Sequence, residues 1–267
     1  MNKNWIISLA TLTLVACVQK VPITNRRQVS LVPEAELVGM SLTEYSKFLK
    51  EHVVLPPSDQ NTILVQKVGK RIQNAVETFM RDKGLSKRIA GYQWEFNVVN
   101  EATINAWCMP GGKVVVYTGL LPVTQDEASL AVVMGHEIAH AVARHGNERM
   151  SDQLLVQMGG IALSVALQSK SQQTQNIFMQ SYGLSSQLGV LKYSRTHESE
   201  ADKMGLVFAA MAGYDPNSAI AFWERMASAG GAKPPEILST HPSDQTRIND
   251  LKTFMPEAMK YYKKQEP

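Results

Sequence analysis

The stretch "TQDEASLAVVMGHEIAHAVARHG", Thr124 to Gly146, decides how the rest of the chain is read. Its apolar residues recur at spacings of three and four, the period of a helix with one buried face. Thr124-Gln125-Asp126-Glu127 at its head is a capping-box pattern, in which a hydroxyl and an acid satisfy the first free N–H groups of a helix. One helix ending at Gly146 is therefore predicted. Within it, His136-Glu137-Ile138-Ala139-His140 has the form H-E-x-x-H. A helix sets its two imidazoles one turn apart and about 40° apart in azimuth, so both can meet one metal ion. Glu137 stands about 100° from His136 and about 60° from His140. At that edge of the site a carboxylate can take a proton from an activated water instead of binding the ion. Two satisfied histidines on an ordinary helix are the alternative reading.

One zinc ion suits this donor set, because histidines with a carboxylate favour a tetrahedral site that keeps one position for water. A third protein ligand is then required. His145 is nearest, but the pattern H-E-x-x-H-x-x-G-x-x-H fails: Ala143 stands where Gly is needed and Gly146 where His is needed. On a continuous helix His145 also lies about 180° from both His136 and His140. It is expected to help finish the helix beside Gly146. The other source is an acid on a separate helix, and "YSRTHESEADKMG", Tyr193 to Gly205, offers Glu198, Glu200 and Asp202. Glu198 and Asp202 share a face that continues into Gly205 and Ala209, small residues that let a helix approach a neighbour closely. Glu200 points about 160° to 200° away and has Lys203 within reach as an ion-pair partner. Glu198 is thus expected as the ligand and Asp202 as the acceptor that fixes a ligand histidine's tautomer. Glu200 is left as a surface acid, and the part of His197 stays open.

Outward from the centre, the chain of 267 residues with 44 % hydrophobic composition can bury one substantial domain. Its net charge of +3 is not gathered into a basic run, so nothing points to nucleic acid as a partner. "MNKNWIISLATLTLVAC" reads as an export signal over residues 1–16, with an apolar run too short for the roughly 20 residues that a membrane span needs. Leu14-Val15-Ala16-Cys17 looks like a lipobox, so Cys17 is expected to be lipidated and residues 17–32 to be a tether. The alternative is an ordinary cleaved signal with a chance cysteine. Cys108 then has no partner for an internal disulfide. Residues 33–267 form the expected folded domain: two helices either side of Pro56-Pro57, strands in "YQWEFNVVN" and "GKVVVYTG" broken by Pro110-Gly111-Gly112, the central helix, and further helices. The apolar run Leu154 to Leu167 reads as a buried helix or lid, with a membrane-leaning surface as the alternative.

The combination "HEIAH", then "ESEAD" as E-x-x-x-D, then "STHPSDQTR", resembles the HtpX/BepA-like zinc metallopeptidases. These are gluzincins that also include the CAAX prenyl proteases and the mitochondrial Oma-type proteases. The resemblance runs from about Pro33 onward. It implies an α+β, mainly helical, zincin-like fold with a small mixed sheet. It also implies His136, His140 and Glu198 as zinc ligands and Glu137 as the catalytic base. "NAWCMPGGKVVVYTGLL" is similar to the family's edge strand, which pairs with an extended substrate, and Asn105 is its expected polar contributor. His241 is either a histidine lying over the metal, as in BepA-like members, or a cap of the last helix. Arg247 is expected to orient His241 or the substrate.

The function these readings imply is a lipid-anchored zinc endopeptidase acting on unfolded or misassembled cell-envelope proteins. Val18 after the cysteine fits the periplasmic face of the outer membrane. Two alternatives stand beside it: a chaperone or assembly factor with a mostly closed zinc site, and an amidase using the same chemistry.

Overall fold

The computed structural model describes residues 18–158, 172–182, 194–228, 237–238, 241 and 245–263. Val18–Lys20 (β1) and Arg27–Val29 (β2) pair antiparallel, Val18 opposite Val29 and Lys20 opposite Arg27. The segment expected as a loose tether is thus a folded hairpin. Val21 and Gln28 are buried, and Gln28 Nε2 donates to the Ala143 carbonyl at 2.8 Å. Strands of three residues are too short for alternation to show in sequence, which is why no period announced them. Glu34–Glu51 (α1) and Gln60–Asp82 (α2) follow as the two expected helices. Asp59 begins α2 by accepting the N–H of Asn61 at 2.8 Å. Beyond its end Gly84 takes φ 69°, a left-handed conformation open to glycine without a Cβ clash.

Glu95–Val99 (β3), Ala106–Met109 (β4) and Lys113–Tyr117 (β5) form a sheet in the order β3-β5-β4. β3 runs parallel to β5 and β4 antiparallel to it, with Cys108 opposite Val114. The turn between β4 and β5 needs positive φ at Gly111 and Gly112, 87° and 79°. β4 is therefore an edge of the sheet, and it packs on the central helix.

That helix is Glu127–Ala143 (α3); after it come His145–Met158 (α4), Gln172–Ser181 (α5), Arg195–Met211 (α6), Ser218–Ser228 (α7) and Gln245–Met259 (α8). The cap of α3 is Asp126, which accepts the N–H of Ser129 at 2.7 Å. Thr124 is not the cap. It closes a separate turn, Leu121–Thr124, and Gln125 at φ 66° redirects the chain. α3 is buried from Ser129 to Ala143, because it is surrounded by the sheet, α2, α6 and α7. Ile138, Val142, Met204 and Phe208 are fully buried there, and each such side chain contributes roughly 1.5–3 kcal/mol by leaving water. α3 and α6 touch backbone to backbone: a Cβ on Gly205 would lie 2.8 Å from the His136 nitrogen. The small residues on the Glu198 face do allow the close approach expected of them.

The result is a mainly helical α+β fold with a small mixed sheet. Of the apolar run from Leu154, the part through Met158 belongs to α4, and residues 159–167 lie outside the described residues, as do residues 1–16 and Cys17. Leu154 is buried against Met150, Ile177 and Phe178. No helix among the described residues is long and apolar enough to cross a membrane.

Candidate active site

Three separate elements bring four side chains to one point. α3 supplies His136 and His140, α6 supplies Glu198, and the segment before α8 supplies His241; all four are buried. His136 Nε2 lies 3.0 Å from His140 Nε2, 3.2 Å from His241 Nδ1 and 3.5 Å from the Glu198 carboxylate. Glu198 is also 3.4 Å from His140 Nε2 and 2.9 Å from His241 Nδ1. Zinc–ligand bonds of about 2.0–2.1 Å imply tetrahedral edges of about 3.3 Å, so these separations fit one zinc ion. The outer nitrogens support the same fit. His136 Nδ1 meets Asp202 Oδ1 at 2.9 Å, so its proton sits there and its Nε2 lone pair faces the group. In that neutral form the Nε2 atoms of His136 and His140, 3.0 Å apart, can both turn a lone pair to one bound cation.

Arg247 holds the acids in place. Its Nε and Nη2 grip the two Asp202 oxygens at 2.7 Å each, and Nη1 is 3.1 Å from Glu198. The guanidinium stacks on the Trp223 ring at 3.5 Å. Burial alone would raise the pKa of Glu198, but His241, Arg247 and the two α3 histidines hold it well below the carboxylate range. Asp202 is likewise lowered, against its burial, chiefly by Arg247. Burial keeps His140 well below the usual histidine value. His136 is raised to about 9: burial and Arg247 oppose its charge, and the hydrogen bonds and charges of Asp202 and Glu198 outweigh them. Two ionised carboxylates in a water-poor pocket favour a dication.

Glu137 faces the same space without being needed as a ligand. Its Oε2 is 3.7 Å from His241 Nε2, and its buried Oε1 has no hydrogen-bond partner among the described residues. Burial chiefly raises its pKa, which suits a group that must accept and return a proton. Asn105 stands just before β4, largely buried, with its Oδ1 accepting the N–H of Ala106 at 2.9 Å.

Two expectations are overturned. Glu200 is no surface acid: it is buried, 3.1 Å from His145 Nε2, and gripped by Arg26 at 2.9 Å in place of Lys203. His145 does not merely finish the helix. α3 stops at Ala143 because Arg144 takes φ 66°, and the bend turns His145 back toward the site, its Nδ1 2.9 Å from His140 Nδ1. A helical wheel cannot foresee this, since it assumes the helix continues. His197 stacks on His145 with ring centroids 4.5 Å apart, and its Nε2 meets Glu148 at 3.0 Å.

Two histidines on H-E-x-x-H and a glutamate from a second helix, set beside a sheet edge, define a zinc site of the gluzincin peptidase class. Comparison with known proteins narrows the class. Residues 66–255 match the model of peptidase family M48, and the chain belongs to that family. It is 35 % identical over 242 residues to mitochondrial metalloendopeptidase OMA1 of Schizosaccharomyces pombe, covering 89 % of this chain and 66 % of that protein. To metalloendopeptidase OMA1 of Homo sapiens it is 32 % identical over 248 residues, 90 % of this chain and 46 % of that protein. To the beta-barrel assembly-enhancing protease of Yersinia pestis it is 31 % identical over 164 residues, 60 % of this chain and 34 % of that protein. The chain thus spans from about a third to just under two thirds of the length of these three relatives. The cofactor is zinc.

Proposed function

We propose that this chain is a zinc endopeptidase that cleaves misfolded or misassembled proteins of the cell envelope, tethered through a lipid on Cys17 at the periplasmic face of the outer membrane. The observation that carries the peptidase reading is Glu137, a buried carboxylate with one oxygen unengaged among the described residues, facing the metal group and not required to hold it. Bound zinc supplies a Lewis acid that polarises a scissile carbonyl and makes water more acidic. His136, His140 and Glu198 hold the ion, with Asp202 and Arg247 fixing their orientation. Glu137 takes the proton of the attacking water and delivers it to the leaving amine. β4 offers an edge on which an extended substrate can add as a further strand, a mode that tolerates many sequences. The envelope substrates draw support from the name of the Yersinia pestis relative, a beta-barrel assembly-enhancing protease. The anchor and its membrane rest on the lipobox-like residues alone.

His241 favours a site held shut at rest. Its Nδ1 lies with the other three donors of the metal group, and its backbone N–H donates to Ile237 O at 2.9 Å while the Ile237 N–H donates to Ile104 O, just before β4, at 3.4 Å. Ile237 and His241 thus link the metal group to the start of the edge. The test is cleavage of unfolded casein by the zinc-loaded chain and by Glu137→Gln. The proposal expects cleavage by the first, and a loss of about a hundredfold to ten-thousandfold in the second with zinc retained. Equal rates in the two would refute it.

A further inference from the structure

The metal-binding histidines differ in what supports their outer nitrogens. His136 is met by Asp202 directly, whereas His140 Nδ1 faces another histidine, His145, at 2.9 Å. The direction of that hydrogen bond follows from the next one. His145 Nε2 lies 3.1 Å from Glu200, a carboxylate on which the Thr24 hydroxyl and the Arg26 guanidinium also converge as donors. An ionised carboxylate only accepts, so His145 carries its proton on Nε2. Its Nδ1 then accepts from His140 Nδ1–H, and His140 Nε2 is left free to bind the ion. The reverse order would put a proton on His140 Nε2, where the metal must bind. Glu200 is held in turn from the N-terminal hairpin: Thr24 Oγ1 donates to it at 2.6 Å and Arg26 Nε at 2.9 Å. Arg26 also forks onto Glu148, its Nη1 and Nη2 each 2.7 Å from one oxygen.

We propose that His145 and Glu200 are positioning residues for the second metal-binding histidine, and that the β1–β2 hairpin holds this relay in register through Thr24 and Arg26. The proposal deepens the zinc-peptidase reading and rests on it for the identity of the ion. Partners one step behind a ligand typically change metal affinity tenfold to a hundredfold when removed.

The experiment is a zinc titration against a competing chelator, with the melting temperature of the zinc-free chain measured in parallel. His145→Phe, which keeps the volume and removes the acceptor, is expected to weaken zinc binding by about tenfold to a hundredfold. His145→Gln, whose amide can accept on one side and donate on the other, is expected to recover part of that loss. Arg26→Ala is expected to weaken binding about threefold to tenfold, with Glu200→Gln between it and His145→Phe. Wild-type zinc affinity in Glu200→Gln and Arg26→Ala overturns the proposal, including where His145→Phe does not fold. So does equal loss in His145→Phe and His145→Gln in step with equal falls in melting temperature, the mark of a merely structural role. A wild-type chain without peptidase activity would sink the function proposed above and leave this comparison standing.

Discussion

Replacing Gly205 with alanine perturbs the contact that sets the metal's third ligand. The new Cβ would stand 2.8 Å from the His136 backbone nitrogen and 3.0 Å from both Gly135 C and His136 Cα. These are main-chain atoms of a buried helix and cannot swing aside as a side chain can. Ordinary contact begins near 3.4 Å, so α3 and α6 must part by about 0.6 Å in an interior that is already close-packed. Glu198 lies two turns back on the same face of α6, about 10.5 Å along its axis, and moves with it. Metal–ligand distances hold to about ±0.2 Å, so that shift takes the carboxylate out of range. Overpacking of this kind costs about 1–3 kcal/mol, and the better helix propensity of alanine returns up to about 1 kcal/mol. The net cost is up to about 3 kcal/mol, and at about 2–4 °C per kcal/mol for a chain of this size the melting temperature should fall by up to about 12 °C. Zinc affinity should fall by at least about tenfold, since the displaced group is itself a ligand. Thermal melts and chelator competition read the two effects, and Gly39→Ala is the control, because nothing lies within 4 Å of its added carbon. Wild-type zinc affinity in Gly205→Ala would mean that the contact between the two helices does not set the position of Glu198.

Removing the fourth member of the metal group with His241→Ala should weaken zinc binding several-fold yet speed casein cleavage per zinc-loaded chain; slower cleavage per loaded chain would argue against the closed resting site. Arg247→Lys exchanges a fork on Asp202 and a stack on Trp223 for a point charge, and should destabilise the fold by about 2–4 kcal/mol in urea unfolding. Glu148 is held at about 2, its burial outweighed by Arg26 and His197. Its folded pKa lies below its unfolded value near 4.5, so the stability it lends is full above pH 4.5 and drains away as pH falls toward 2. The stability gap between wild type and Glu148→Gln should therefore narrow by about 1 kcal/mol between pH 7 and 3.5, after allowing for solvent screening. A gap constant over that range would contradict the ion pair.

What the sequence made legible was what regular periodicity carries. H-E-x-x-H on a helix, the Glu198 and Asp202 face, and the small residues Gly205 and Ala209 all follow from a turn of 3.6 residues, and the structure arranges them accordingly. The strands around Pro110-Gly111-Gly112 were legible from β-branched runs and turn glycines. What escaped lay where the backbone leaves its period. Arg144 adopts a left-handed conformation without being glycine, which turned His145 inward and made the wheel angle misleading. Glu200 looked exposed because its partner, Arg26, is distant in sequence and lies in a hairpin whose strands are too short to show alternation. Long-range pairing of charged side chains leaves no local signature, so the relay behind His140 became visible only in three dimensions.

Whether Glu198 completes a one-zinc site with His136 and His140 is decided by zinc content at a buffered free-zinc concentration that just saturates the wild type. The expected result is one zinc per wild-type chain and a largely zinc-free Glu198→Ala variant that remains folded. Full zinc occupancy in folded Glu198→Ala would contradict it.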